Sequence, residues 1–148
     1  MTTSSTASPN DPLSQLPGYL LRRASTAVLT ELNLLLKPLK LRHADAAFLL
    51  LIASSPGMTQ SNLGRILDIQ RANMAPLVAR LEKRGLLDRQ RVDGRSQALA
   101  LTAKGRDLEA RARAVVTGFE ASLFERVPPK MRPMVLPILM ALWNPTRS

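Results

Sequence analysis

The 148-residue chain contains no cysteine, which excludes disulfides, thiolate zinc sites, a nucleophilic thiol and thiol-based oxidant sensing. It has one histidine, His43, so a multi-histidine metal site is excluded as well. A Ser-His-Asp arrangement would have to be built on that residue. Its neighbours Leu41, Arg42, Ala44 and Asp45 supply neither a nucleophile elbow nor a glycine turn. An enzyme is therefore the minority reading, and no cofactor or metal is expected. The longest unbroken apolar run, Ala46 to Ala53, falls far short of the roughly 20 residues that a membrane-spanning helix needs. A soluble, cytoplasmic protein without a membrane partner is expected.

Acidic residues are scarce beside basic ones: 11 Asp and Glu face 21 Lys and Arg, a formal net charge of +10. Such an excess on a small domain points to a polyanionic partner, nucleic acid first and an anionic membrane second. The length suits one domain. Met1 to Pro12 carries Ser, Thr, Pro and Asn, with no basic n-region and no apolar h-region, and so is not a signal peptide. Residues 1–15 read as a disordered tail and 16–148 as a single domain.

Periodicity divides that domain. Leu16, Leu20, Ala24, Ala27, Val28, Leu32 and Leu35 recur at helical steps, predicting a long first helix that ends before Pro38. A nearly all-apolar second helix follows from His43 to Ser54, stopped by Ser55-Pro56-Gly57. Thr59 is placed to cap a short helix with Leu63, Ile66 and Leu67 facing inward. After a turn at residues 68–70, another helix carries Met74, Leu77, Val78 and Leu81 on one stripe and stops at Gly85. Extended runs at 86–92 and 96–101 flank the hairpin dipeptide Asp93-Gly94. Thr102 is placed to cap a long helix to about Glu125. The last segment keeps helical spacing through Met131 to Leu142, but Pro133 and Pro137 predict a kinked or split helix.

This order is mainly α with a small β-hairpin, a winged helix-turn-helix set between terminal helices. Ten Lys and Arg residues against four acids lie between Arg65 and Arg106, so more than half of the excess charge falls in the candidate DNA-binding lobe. The helix from about Gln70 to Arg84 separates cleanly in projection: its apolar stripe lies opposite Ala72, Ala75, Pro76 and Ala79, which Arg71, Asn73, Arg80 and Lys83 border. A smooth surface rimmed by donors suits a major groove, where alanine meets thymine methyls, Asn reads adenine and Arg reads guanine or holds phosphate. Pro76, on that face, is expected to bend the helix. Arg89, Arg91 and Arg95 surround the hairpin tip, where guanidinium groups suit a narrow, electronegative minor groove.

The segments Leu-Lys-Pro-Leu-Lys-Leu at 36–41, Met-Thr-Gln-Ser-Asn-Leu at 58–63, Leu-Glu-Lys-Arg-Gly-Leu at 81–86, Asp-Gly-Arg-Ser at 93–96 and Leu-Thr-Ala-Lys-Gly-Arg at 101–106 together resemble the MarR family of bacterial transcriptional regulators. The resemblance runs from about Leu16 to Trp143. It implies a homodimer whose terminal helices, about 16–37 and 103–144, intertwine, with a DNA-binding lobe at about 42–101. It also implies a repressor of a pseudo-palindromic operator, released by a small anionic effector, an aromatic acid or its thioester. The candidate DNA contacts are Thr59, Gln60, Ser61, Gln70, Arg71, Asn73, Arg80, Lys83, Arg89, Arg91, Asp93, Arg95 and Ser96, and the resemblance makes Asp93 and Arg95 a wing pair.

For the effector, Arg23 projects to the edge of the apolar stripe of the first helix while Arg22 points nearly opposite, so Arg23 is the better anion partner. His43 is either a donor to a ligand oxygen or an ordinary exposed or core-satisfied histidine. Ala46, where related sequences often carry a bulky aromatic, either leaves room for a ligand or packs as a small residue. Glu31 projects into an apolar stripe and so needs an arginine across a dimer or a gap open to water. A nonspecific, chromosome-organising protein without effector is the competing reading, distinguished by indifference to inverted repeats and a purely salt-controlled affinity.

Overall fold

The computed structural model describes residues 11–94 and 97–144. Asp11 caps a short 3-10 turn, Pro12–Gln15, within the stretch expected to be a tail. Helix α1, Pro17–Leu36, starts with proline in its first turn, where the missing N–H is not needed, and runs into a second 3-10 turn at Lys37–Leu39. Helices α2 (His43–Ser54), α3 (Gln60–Ile66) and α4 (Arg71–Lys83) follow. Strands β1 (Leu87–Arg91) and β2 (Gln97–Leu101) pair antiparallel, with Leu87 opposite Leu101 and Arg91 opposite Gln97. Helices α5 (Ala103–Glu125) and α6 (Arg132–Trp143) close the chain.

The core explains why α2 is apolar almost all round. Phe48, Leu49 and Ile52 of α2 are buried together with Leu36, Leu63, Val78, Leu81, Leu87, Leu99, Leu108 and Phe119, contributed by every other α-helix and strand except α6. The recognition-type helix α4 buries Met74, Leu77, Val78 and Leu81 and leaves its alanines and Pro76 exposed. It continues through Pro76 as one α-helix, because the ring lies on the solvent side, where the carbonyl it leaves without an amide partner is open to water.

Two small devices set the lobe's geometry. Thr59 caps α3, its hydroxyl accepting from the Asn62 amide at 3.2 Å, and the adjacent Met58 carbonyl accepts from Leu99 N–H at 3.0 Å, so the start of α3 is pinned to the wing strand. Asp68, at φ 51°, takes the left-handed conformation that lets the chain turn tightly from α3 into α4.

Of the kink or split expected from Pro133 and Pro137, the split is absent. A separate 3-10 turn covers Pro129–Met131, and Pro133 occupies the first turn of α6, which then runs unbroken past Pro137 to Trp143. Proline in a first helical turn removes a donor that has no intrahelical acceptor anyway.

Candidate functional site

The basic face is built from three elements. A cleft of about 630 Å³ between the N-terminal end of α3 and the wing is lined by Thr59, Gln60, Ser61, Asn62, Arg65, Arg89, Arg91, Asp93, Gly94 and Gln97. Beside it, a groove of about 440 Å³ between α3 and α4 is lined by Gln60, Ser61, Arg65, Arg71 and Met74, among others. Gly64 permits this close approach of the two helices, since a Cβ there would lie 3.0 Å from the Met74 side chain. Arg65, on the outer face of α3, borders both hollows and was not among the candidate contacts read from the sequence. Its helical phase relative to Gln60 and Ser61 was a usable signal.

The cations of this face differ in what they do. Arg65, Arg71, Lys83 and Arg91 are exposed and make no ion pair among the described residues. Arg89 is already engaged, donating through Nε to Glu82 Oε1 at 2.7 Å and through Nη2 to Oε2 at 3.3 Å, which ties the wing to the end of α4. Thr59 is occupied as a helix cap. Gln70, the N-cap residue of α4, and Asn73, on its first turn, are exposed at the groove-facing end of that helix. Arg95 and Ser96 lie outside the described residues.

Arg80 turns away from this face. Its guanidinium pairs with Asp45 of α2, whose side chain is only 3% exposed. The same carboxylate accepts from the Arg42 backbone N–H at 2.8 Å, capping the first turn of α2. One turn later Arg84 donates to the Lys40 and Leu39 carbonyls at 2.7 and 3.1 Å. Both arginines thus hold the C-terminal half of α4 against the α1–α2 junction.

A further hollow, of about 760 Å³, opens at that junction and is lined by Thr30, Asn33, Leu34, Lys37, Lys40, Leu41, Arg42, His43, Asp45 and Arg80. Its volume falls in the range of small-molecule sites. His43 is half-buried; its N–H donates to Asn33 Oδ1 at 2.8 Å, and its Nδ1 lies 3.2 Å from the same oxygen, which leaves Nε2 available to a ligand.

The other effector candidates are not brought to this hollow. Arg22 and Arg23 are exposed on α1 and flank the Tyr19 ring at 5.3 and 5.9 Å, with Arg23 donating to the Tyr19 hydroxyl at 3.1 Å. Ten residues of helix, about 15 Å, separate Arg23 from Asn33. Ala46 is 1% exposed and belongs to the core. Glu31 finds its arginine within the chain: Arg126, just past α5, pairs with it at 2.5 Å. Half-open rather than buried, this pair stands where the projection suggested either a partner across a dimer or water. The hydrogen bond to Arg126 holds the Glu31 carboxyl below its ordinary range, against a smaller opposing effect of desolvation.

A three-helix lobe closed by a two-stranded wing, with a small-residue helix face flanked by cations that are unpaired among the described residues, defines a winged helix-turn-helix of the DNA-binding kind. The chain belongs to the MarR family: a MarR family profile matches residues 39–96, and it is 33% identical over 112 residues to the HTH-type transcriptional repressor Rv2887 of Mycobacterium tuberculosis, covering 74% of this chain and 81% of that one. A structure of the transcriptional repressor CouR bound to a 23-mer DNA duplex superposes with a TM-score of 0.83 at 36% identity, over 89% of this chain and 95% of that one. CouR from Rhodococcus jostii RHA1 bound to p-coumaroyl-CoA gives 0.81 at 29% identity, over 92% and 97%. Rv2887 in complex with salicylic acid gives 0.68 at 30% identity, over 85% and 95%. Among the described residues, no helix is long and apolar enough to cross a membrane.

Proposed function

We propose that the chain is a homodimeric transcriptional repressor that binds an inverted-repeat operator through α4 and the wing, and that a small aromatic acid or its thioester releases it. The observation that carries the reading is the alanine face of α4 lying between unpaired Arg65, Arg71 and Lys83, with Arg91 on the adjoining wing. Small side chains allow a helix to seat deeply in the major groove, and the flanking cations reach phosphates or guanine edges. Gln60, Ser61, Gln70 and Asn73 complete the contact surface, and Arg95 and Ser96, which lie outside the described residues, are proposed from the sequence as further DNA contacts.

The effector site is assigned to the hollow at the α1–α2 junction rather than to Arg22, Arg23 and Ala46. Leu34 offers an apolar surface for a ring, with the buried Leu41 behind it, while Lys37, Lys40, Arg42 and His43 Nε2 offer donors to an acid. The likenesses to a repressor bound to p-coumaroyl-CoA and to one bound to salicylic acid support an aromatic acid of this class.

Selection from random duplexes tests the reading. Recovery of an inverted repeat with half-sites about one helical turn apart, roughly 10 base pairs, is expected from a two-fold dimer. Recovery of no repeat, with affinity set by salt alone, would favour a nonspecific chromosome-organising protein instead. Titrating salicylate and p-coumaroyl-CoA into the selected complex tests release.

A further inference from the structure

We propose that the Asp45–Arg80 ion pair is a latch which an anionic effector opens by competing for Arg80, so that the hollow at the α1–α2 junction acts on the DNA-binding helix through one guanidinium. This rests on the effector reading above and adds the residues through which the two sites communicate.

The charge around the hollow is one-sided. Lys37, Lys40, Arg42 and Arg80 line it, against one carboxylate, Asp45. Both oxygens of that carboxylate are taken, Oδ2 by the Arg42 backbone N–H at 2.8 Å and Oδ1 by Arg80. An incoming acid therefore meets four cations against one carboxylate that is already paired.

Arg80 is the cation on that wall that belongs to α4. Its side chain is 51% exposed while its partner's is 3% exposed, so part of the guanidinium faces the hollow. A guanidinium has five N–H donors, and a planar carboxylate takes two of them in the fork geometry that Asp45 uses only in part. A ligand acid seated over Leu34 both attracts Arg80 and repels Asp45, and each effect weakens the pair. Arg84 holds its end of α4 through the Leu39 and Lys40 carbonyls and does not line the hollow, so a ligand seated there does not meet it. Opening the pair thus frees the helix at Arg80 while its end stays anchored, which changes the placement of Arg71 and Asn73 at the far end.

Linkage sets the test, because a ligand that disfavours the DNA-bound arrangement must itself be disfavoured by DNA to the same extent. Kd for the selected duplex is measured with and without saturating salicylate, and separately p-coumaroyl-CoA, in wild type, Asp45→Asn and Arg80→Gln. Kd for each ligand is measured without DNA, and thermal melting confirms folding. Wild type is expected to lose about 5–150-fold in DNA affinity on adding ligand, the usual span of such coupling. Asp45→Asn, unlatched from the start, is expected to bind DNA more weakly and ligand more tightly, with the ligand effect reduced to about twofold or less.

Arg80→Gln removes the contested donor, so its coupling also collapses while its ligand affinity falls. Opposite shifts in ligand affinity with a shared loss of coupling would not follow from a merely structural role. Should Asp45→Asn fail to fold, unchanged coupling in Arg80→Gln overturns the latch by itself. If wild type responds and the variants respond by the same factor, the latch falls and the repressor reading stands. If neither compound alters DNA binding by wild type, the effector reading and the latch fall together.

Discussion

Gly105 lies directly against the Leu86 carbonyl: a Cβ on it would come within 2.1 Å of that oxygen and 3.0 Å of the carbonyl carbon. The approach is fixed from both sides, since Thr102 N–H donates to the same oxygen at 3.1 Å and the Thr102 hydroxyl donates to the Gly85 carbonyl at 2.6 Å while accepting from Gly105 N–H. The first turn of α5 is thereby clamped onto the junction between α4 and β1. The wing, α5 and the end of the recognition helix meet at this junction.

Gly105→Ala is therefore expected to destabilise the fold by about 1–3 kcal/mol, the range for overpacking where backbone must move. Chemical denaturation of the variant checks this. The clash is with a backbone atom, so no side-chain rotation relieves it, and a midpoint equal to wild type would show that α5 is free to shift.

The Glu31–Arg126 pair predicts a pH dependence with a definite sign. Arg126 holds the Glu31 carboxyl below its ordinary value of 4.5, first through the hydrogen bond and then through charge, with desolvation opposing. A depressed carboxyl contributes stability that is present above its unfolded value and lost as pH falls through its folded value. Glu31→Gln should melt below wild type at neutral pH, with the difference vanishing in acid. A gap that stays constant across that window would mean that the pair contributes nothing through charge. The effect is expected to be small, because both side chains are near half exposed.

Local chemistry made much of the fold legible in advance. Thr59 and Thr102 announce their helices because each cap needs only a partner three residues away, and Gly85, at φ 71°, ends the α4 segment as a left-handed stop. The alternation of Met74, Leu77, Val78 and Leu81 with alanines likewise separates the two faces of α4 without reference to any other element.

What escaped was non-local. Arg80 and Asp45 are 35 residues apart and Arg126 and Glu31 are 95 apart, and no period within a helix reveals such partners. Arg80 therefore read as a groove contact, although the structure turns it toward α2. Pro133 misled for a different reason, since its effect depends on where the helix starts, a boundary that the preceding 3-10 turn sets. The hollow at the α1–α2 junction was only partly legible: His43 was chosen, but Asn33, which orients it, sits on a different helix.

The unpaired cations should be separable from the paired ones by salt. Arg65→Ala and Arg71→Ala are each expected to reduce the slope of log affinity against log salt by about one unit for every phosphate that the arginine neutralises. Arg113→Ala serves as the control, because Arg113 lies on α5 and is paired with Glu109 at 2.5 Å. Equal slopes for wild type and both lobe variants would remove α3 and the start of α4 from the DNA surface.

The terminal helices carry the remaining prediction. No residue of α6 is buried, and Leu136, Ile138, Leu139, Met140, Leu142 and Trp143 are all more than two-fifths exposed. On α1, Leu20, Leu21 and Leu35 are open in the same way, as are Leu13 and Leu16 just before it. Soluble monomers rarely expose contiguous apolar patches beyond a few hundred Å², and a helix this apolar with nothing buried has no folding role within a single chain. A second copy covers such a surface most simply, because a two-fold interface asks only that the patch complement itself. Ile138→Asp and Leu142→Asp place a charge in that interface without touching the buried core of the lobe, so they are expected to give monomers in sedimentation at micromolar concentration. The melting of the lobe should change little. Binding to an inverted repeat should fall much more than binding to a single half-site, since a monomer presents one recognition helix instead of two. Wild type sedimenting as a monomer, or both variants remaining dimers, would show that the apolar faces of α1 and α6 do not join two copies.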